Sequence, residues 1–179
     1  MKQSVSFLFF VALLLISWSV FAQQKQFVCT PCGSSCDSQI YSKAGSCSHC
    51  GMDLIEKKYT DFKNLSYKEV CDRVTNNPEV VLLDVRSASE FKGSARNSFG
   101  ILRNAINMDV RELPDRINEL NKYKNSEIIV YCSHSIRSPR ASSILIQQGF
   151  VNVSNMIGGV STLASDNSTC SGNLFIPFK

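Results

Sequence analysis

The chain has 179 residues, of which 19 are Lys or Arg and 15 are Asp or Glu, so its formal net charge is +4. No basic stripe or basic helix face accompanies this small excess, and nucleic-acid binding is not expected. The length suits one ordinary domain with a small appendage. Eight cysteines are many for this length, and five of them lie between Cys29 and Cys50. This distribution divides the chain into a small cysteine-rich module and a larger domain.

The first residues have the three-part form of a secretory signal. Lys2 precedes an apolar stretch that runs to about Ile16, and Ala22 stands before Gln23. The stretch is short for a membrane span, which needs about 20 residues, although an uncleaved N-terminal anchor is the alternative. We predict a signal peptide over residues 1–22, a periplasmic or secreted protein, and no stable membrane span after cleavage.

The cysteine-rich module covers residues 27–57 and carries two knuckles, CTPCG (29–33) and CSHCG (47–51). The two-residue spacer lets both sulfurs of a knuckle face one metal ion, and the glycine permits the tight turn that follows. A piece of about 30 residues cannot bury enough apolar surface to fold unaided. We expect a metal ion to hold it together, with disulfide bonds as the alternative that export favours. The predicted metal ligands are the knuckle cysteines Cys29, Cys32, Cys47 and Cys50.

The second knuckle lies in CSHCGMDL (47–54), which resembles the end of the short heavy-metal-binding module found beside copper-handling ATPases and metal-efflux proteins. The likeness is most specific at Cys47, Cys50, Gly51 and Met52. The family's Met-His-Pro run is absent, and Cys32 stands in place of its histidine. The resemblance therefore implies a four-sulfur site for zinc or another thiophilic metal, held as a structural ion or as cargo. Cys36 is left as a spare ligand, a partner for a distant cysteine or a free thiol.

The larger domain, residues 60–165, alternates apolar strands with amphipathic helices. The predicted strands cover 80–85, 105–108, 127–131 and 151–156. The predicted helices cover 67–76, which a capping box at Ser66 opens, 113–121, and 138–149, which Ser138 caps. Strands that alternate with helices through short connections predict an α/β fold, in which helices flank a mostly parallel sheet. A polar C-terminal tail is expected over 166–179.

The segment YCSHSIRS (131–138) places a cysteine where a buried strand ends and a helix begins. Ligand sites in parallel sheets lie at the carboxyl ends of the strands. Backbone N–H groups in such a loop can converge on one point, the helix dipole adds about half a positive charge, and Arg137 adds a full one. All three would stabilise a thiolate at Cys132, and the same cradle would hold an anionic substrate. The alternative is an inert buried cysteine.

Three stretches resemble the rhodanese (sulfurtransferase) domain in family order, VVLLDVRSASEF (80–91), EIIVYCSHSIRS (127–138) and GFVNVSNMIGGV (149–160). The resemblance implies that Cys132 accepts a sulfane sulfur as a persulfide from a small anionic donor and passes it to a thiol or cyanide acceptor. It implies no cofactor for this catalysis. The implied donor-binding residues are Arg137, Ser133, His134, Ser135, Ile136 and Ser138. The implied structural supports are Asp84, Arg86 and Glu90.

The length of the loop separates reaction classes within this resemblance. Six residues run from Cys132 to Arg137, as in rhodaneses, whereas the related dual-specificity phosphatases and arsenate reductases use one more, which makes room for a tetrahedral oxyanion. FKGSARNSFGILRNAIN (91–107) departs from the family's Gly-His-Ile-Pro-Gly-Ala stretch, and the late tryptophan is absent. We expect His134 to face solvent and Ile136 to point into the wall of the site.

Three functions remain open at this point. The first is an exported sulfurtransferase whose zinc-ribbon-like module is a structural or docking appendage. The second is a metal-handling or metal-sensing protein, in which the rhodanese-like domain supplies a thiol or a scaffold. The third, a phosphatase-like or arsenate-reducing enzyme, is disfavoured by the loop length. The sequence leaves open whether Cys71 or Cys170 forms a disulfide.

Overall fold

The computed structural model describes residues 24–165 and 174–178. The predicted signal peptide over 1–22 lies outside these residues. The first part of the described chain is the cysteine-rich module, whose three short strands pair antiparallel in the order β2-β1-β3. The strands are β1 (Phe27–Cys29), β2 (Ile40–Tyr41) and β3 (Leu54–Glu56). Its apolar centre consists of cysteine side chains, so sulfur takes the place of an ordinary core.

The larger domain has the α/β architecture that the sequence predicts. Its strands are β4 (Lys63–Leu65), β5 (Val81–Asp84), β6 (Gly100–Leu102), β7 (Ile106–Asn107), β8 (Glu127–Tyr131), β9 (Asn152–Met156) and β10 (Phe175–Pro177). Its helices are α1 (Tyr67–Asn76), α2 (Ala88–Phe91), α3 (Leu113–Arg116), α4 (Arg137–Gln147) and α5 (Gly159–Ser165). Five strands form one sheet in the order β4-β9-β8-β5-β7, and every pair in it is parallel.

The central strands are apolar on both faces because both faces of the sheet are covered. Along β8, Ile128 and Val130 join one core cluster, whereas Ile129 and Tyr131 join the other. Side chains alternate between the faces of a strand, so a strand covered on both sides reads as a continuous apolar run. The apolar run that predicted β8 is therefore explained by the central position of this strand in the sheet.

The start of α1 confirms the predicted capping box. The backbone N–H of Glu69 donates to Ser66 Oγ at 3.3 Å, and the backbone N–H of Ser66 donates to Glu69 Oε2 at 2.7 Å. These two bonds satisfy donors that the first turn of a helix leaves unpaired. The helix follows the edge strand β4, which the sequence did not predict and which pairs with β9.

The predicted cap of α4 is wrong. The helix begins at Arg137, its N-cap residue is Ile136, and no side chain caps it. Ser138 is fully buried inside the first turn and donates its hydroxyl to Cys132 Sγ at 3.5 Å. A serine before a proline is a common helix start, but here the loop geometry directs the hydroxyl to the sulfur instead.

Two other predictions need correction. The helix expected over 113–121 is α-helical only to Arg116 and continues as a 3-10 helix over Ile117–Tyr123. The expected polar tail falls partly outside the described residues, over 166–173. Its end forms β10, which pairs antiparallel with β6, and Leu174 is buried beside it. This pairing joins segments distant in sequence, and no local pattern signals it.

Cys71, buried on α1, is disulfide-bonded, whereas the five module cysteines and Cys132 are free. Cys170 lies outside the described residues. Within the described ranges no helix combines the length and the apolar character that crossing a membrane requires.

Candidate active site and metal centre

Cys132 lies at the carboxyl end of β8, the middle strand of the sheet, and the loop after it leads into α4. The side chain is 1% exposed. Burial would raise the pKa of this thiol, but hydrogen bonds from the Ser138 hydroxyl and from the backbone N–H groups of Ser138, His134 and Arg137 outweigh it and lower the pKa. The loop amides thus act on the Cys132 thiol in the direction that the sequence predicts, together with the Ser138 hydroxyl 3.5 Å from the sulfur.

The loop keeps this shape with one residue in a strained conformation. Ser135 has a φ of +57°, which costs about 1–2 kcal/mol for a residue with a side chain. Asn155, 2% exposed on β9, donates to Ser135 Oγ at 3.1 Å and to Asn64 Oδ1 at 2.8 Å. The asparagine pair connects two parallel strands to the loop, so it holds Ser135 in the left-handed region.

The start of α5 fixes the other side of the loop. The backbone N–H of Val160 donates to the carbonyl of Cys132 at 2.9 Å, and that of Ser161 donates to the carbonyl of Ser133 at 3.0 Å. Gly159 has a φ of +64°, and a Cβ at this position would overlap both carbonyl oxygens. Only glycine permits this close approach without displacement of the loop.

Arg137 and Glu90 form a bidentate ion pair at the mouth of the loop. Arg137 Nη1 donates to Glu90 Oε2 at 2.7 Å, and Nη2 donates to Glu90 Oε1 at 2.8 Å. The Ser133 hydroxyl completes the group, because it donates to Glu90 Oε1 at 3.0 Å and accepts from Arg137 Nη2 at 3.2 Å. Of the five N–H groups of Arg137, two remain outside these contacts. Glu90, predicted only as a brace, therefore contacts the candidate site directly.

Asp84 ends β5, the strand that pairs with β8, and Arg86 follows it two residues later. Both side chains are fully buried and form an ion pair at 2.6 Å. Arg86 also donates to the carbonyl of Ser98 at 2.7 Å and to that of Gly100 at 2.8 Å. The pair therefore anchors the segment that replaces the missing Gly-His-Ile-Pro-Gly-Ala stretch.

His134 and Ile136 are both on the outside of the loop. His134 is exposed, as expected, and its ring meets that of Phe99 edge-on at 5.5 Å between centroids. The expectation that Ile136 points into the wall is wrong, since it is 53% exposed. It faces the cysteine-rich module instead, because a Cβ on Gly33 would lie 3.5 Å from Ile136 Cγ1. The 3-10 turn Lys57–Thr60 also packs beside α4.

The sulfur atoms of the module form two overlapping groups, in each of which all ligand atoms lie within 4.8 Å of one another. The four-sulfur group contains Cys29, Cys36, Cys47 and Cys50. The mixed group contains Cys29, Cys32, Cys36 and the carboxylate of Asp37. Three of the four predicted ligands thus come together, but Cys36 completes their set, whereas Cys32 belongs to the mixed group. Cys36 lies in the 3-10 turn Ser35–Ser38, and the spacing of the two knuckles does not predict that this turn brings its sulfur to the group.

The four-sulfur group fits a thiophilic metal. The sulfurs of Cys29 and Cys50 are 3.2 Å apart, and metal–sulfur bonds of 2.3 Å in a tetrahedron place neighbouring sulfurs about 3.8 Å apart. Cys29, Cys36 and Cys47 are at most 2% exposed. Cys29, Cys36, Cys47 and Cys50 would hold the metal as thiolates, and the metal would supply the cross-link that this small module needs.

The rhodanese-like domain family matches residues 66–166, which is 101 of the 179 residues. The chain belongs to the rhodanese-like family. The heavy metal binding domain matches residues 28–57. Both resemblances drawn from the sequence are therefore confirmed, and so is a rhodanese-like sheet preceded by a small cysteine-rich module.

Similar proteins share the rhodanese-like part. The tRNA uridine(34) hydroxylase of Cytophaga hutchinsonii is 35% identical over 85 residues, which are 46% of this chain and 25% of that protein. The protein of the same name from Staphylococcus haemolyticus is 31% identical over 121 residues, 65% of this chain and 36% of that protein. Among solved structures, reduced Bacillus anthracis CoADR-RHD is 25% identical with a TM-score of 0.50, covering 64% of this chain and 18% of that chain. This chain spans only about a quarter to a third of the length of these curated relatives.

Sequence reasoning missed two residues that shape the loop, Asn155 and Gly159, whereas it named Ser138 as a donor-binding residue and left Cys36 open as a spare ligand. Asn155, Gly159 and the hydroxyl of Ser138 act on the loop, and Cys36 completes the four-sulfur group. A signal existed for Gly159, because a Gly-Gly pair after a strand often marks a close backbone approach. Asn155 lies inside an apolar strand, where a buried amide needs a partner, but the sequence does not identify which one.

Replacement of Gly159 by alanine should displace the Cys132 loop. The new Cβ would overlap two backbone carbonyls, so we expect a loss of about 3 kcal/mol or more in the free energy of unfolding. Gly149→Ala is the control, since its φ is +84° but no atom lies within 4 Å, and we expect about 1–2 kcal/mol. Urea unfolding would measure both. Equal losses for the two variants would contradict the close approach described above.

The Glu90–Arg137 pair should make stability depend on acid pH. Its hydrogen bonds with Arg137 lower the pKa of Glu90 from 4.5 to about 2, although burial opposes this shift. A carboxyl group with a lowered folded pKa stabilises the fold above its unfolded pKa and loses that contribution as pH falls. We expect Glu90→Gln to cost about 1–2 kcal/mol near pH 7, after allowance for the partly exposed Arg137.

This cost should shrink as the pH falls from about 4.5 towards 2, because the wild-type carboxyl becomes protonated. Urea unfolding of both proteins across that range would measure it. Glu119→Gln is the matched control, since Glu119 also pairs with an arginine but is 55% exposed. A Glu90→Gln cost that stays constant with pH would contradict the assigned ion pair.

Proposed function

We propose that this chain is a sulfurtransferase in which Cys132 carries a sulfane sulfur as a persulfide. The observation that carries the proposal is the convergence of three backbone N–H groups and the Ser138 hydroxyl on the buried Cys132 sulfur. A thiolate is the nucleophile in sulfur transfer, and these donors favour it over the neutral thiol. The family membership supports the same reaction class.

In the first half-reaction the Cys132 thiolate would attack the outer sulfur of a small anionic donor of the thiosulfate class. A new sulfur–sulfur bond forms at Cys132 as the donor's own sulfur–sulfur bond breaks, and the electron pair leaves with sulfite. No external oxidant or reductant is needed. The persulfide carries a negative charge on its outer sulfur, which the amides of the loop can stabilise as they stabilise the thiolate.

In the second half-reaction a thiophilic acceptor, such as a thiolate or cyanide, would attack the outer sulfur. The persulfide bond breaks, the acceptor gains the sulfur, and Cys132 returns as a thiolate. Arg137 contributes two N–H groups that Glu90 and Ser133 do not engage, and we propose that they bind the donor's anionic end. Glu90 fixes the guanidinium, so its role in the reaction is to position Arg137.

The loop length favours sulfur over phosphate. The loop has six residues from Cys132 to Arg137, and a tetrahedral phosphate or arsenate needs the wider seven-residue loop of the related phosphatases. RNA hydroxylation is not proposed, since the match to the hydroxylases covers only a quarter to a third of those proteins.

We further propose that the protein acts after export, in the periplasm or outside the cell, on the basis of its first 22 residues. A second candidate function is metal handling by the cysteine-rich module, with zinc as the expected metal. The four-sulfur group favours it. Metal analysis after dialysis would separate the roles, because retained zinc indicates a structural ion, whereas exchangeable copper indicates cargo.

The direct test is the intact mass of the purified protein before and after incubation with thiosulfate. We expect a gain of one sulfur atom that is absent from Cys132→Ser, together with thiocyanate formation when cyanide is added. Cys32→Ser is the matched control, since it removes a free thiol of the module and should retain the gain at Cys132. No gain in the wild-type protein with Cys132 reduced would contradict the sulfurtransferase assignment and favour metal handling.

A further inference from the structure

The four-sulfur group leaves two metal-binding side chains of the module without a role. Cys32 is a free, half-buried thiol, and Asp37 lies in the 3-10 turn Ser35–Ser38. Both lie against sulfurs of the four-sulfur group. Cys32 Sγ is 3.7 Å from Cys36 Sγ and 3.2 Å from Asp37 Oδ1.

Asp37 is held in place by the backbone of the first knuckle. Its carboxylate accepts the N–H of Cys32 at 3.1 Å and the N–H of Gly33 at 2.8 Å. These bonds fix the carboxylate beside the Cys32 sulfur, whose thiol donates to Asp37 Oδ1 at 3.2 Å. When that thiol gives up its proton to bind a metal ion, Oδ1 regains a lone pair for the same ion. The mixed group is therefore a preformed set of three sulfurs and one oxygen, a donor set that zinc accepts.

The two groups share Cys29 and Cys36, which are also among the most buried residues of the module, with exposed fractions of 0% and 1%. A thiolate between two tetrahedral positions can bind a metal ion on each side. The unshared ligands then divide evenly, since Cys47 and Cys50 serve one position, and Cys32 and Asp37 serve the other. No ligand has to move from its group to fill both positions.

Charge favours two ions over one. Five ionised cysteines and Asp37 carry six negative charges within one small, largely buried cluster. One divalent ion would leave a net charge of −4, and two would leave −2. Uncompensated charge in a buried site is strongly destabilising, so two ions would stabilise the fully deprotonated cluster much better than one.

We propose that the module holds a binuclear thiolate centre for two thiophilic divalent ions of the zinc class, with Cys29 and Cys36 as bridging ligands. Each cysteine that binds gives up its thiol proton, so filling both positions releases up to five protons and changes no oxidation state. The proposal extends the single-metal role described above and depends on it, because the second position shares two ligands with the first.

Metal stoichiometry tests the proposal on the whole purified chain. The chain would be reconstituted with excess zinc without oxygen, dialysed, and examined by native mass spectrometry. We expect two zinc ions per wild-type chain and one per chain in Cys32→Ala and in Asp37→Asn. Asp53→Asn is the matched control, since it changes an exposed carboxylate of the same module outside both groups, and it should retain two.

A cobalt titration gives a second readout that does not depend on activity. Sulfur-to-cobalt charge-transfer absorbance should rise to two equivalents in the wild-type chain and to one in Asp37→Asn, a variant of the same shape that should keep the fold. One ion in the wild-type chain and in every variant would overturn the binuclear centre but leave the four-sulfur site. No bound ion at all would overturn both.

Discussion

The candidate site is arranged around one constraint, since Cys132 is buried and its surroundings still favour the charged form of its thiol. Cys132 is almost inaccessible to solvent, and burial alone would disfavour its thiolate. Hydrogen bonds from the loop and the first turn of α4 reverse this effect, but only while their N–H groups remain aimed at one atom. The surrounding contacts all keep these N–H groups in position. Asn155 holds the strained Ser135, α5 binds the carbonyls of the loop, and Glu90 fixes Arg137.

The features that the sequence predicted are local ones, whereas those it missed depend on the folded chain. Residues 127–131 form a strand and residues 67–76 form a helix because an apolar run and a capping box act locally. Cys132 and Arg137 could be identified from their spacing. Ser138 was expected both as a helix cap and as a hydroxyl donor in the loop, and only the second role is found, because the direction of its hydroxyl depends on the folded loop. The pairing of β10 with β6 also joins distant residues, which no local pattern encodes.

The two cysteine sites of this chain lie next to each other. The cysteine-rich module contacts the Cys132 loop where Gly33 meets the exposed Ile136, and the turn that leaves the module packs beside α4. Cys32 precedes Gly33 in the chain, so the knuckle that contacts the loop also supplies a ligand to the second position of the proposed binuclear centre.

The most direct test of the role of the loop is a measurement of the pKa of Cys132. The rate of its alkylation by iodoacetamide would be followed against pH, with the Cys132 peptide quantified by mass spectrometry so that the other thiols do not interfere. We expect a midpoint below the ordinary thiol value of about 8.5, because hydrogen bonds lower the pKa of Cys132, and a higher midpoint in Ser138→Ala, which removes one donor. A midpoint at or above 8.5 in the wild-type protein, unchanged in Ser138→Ala, would contradict it.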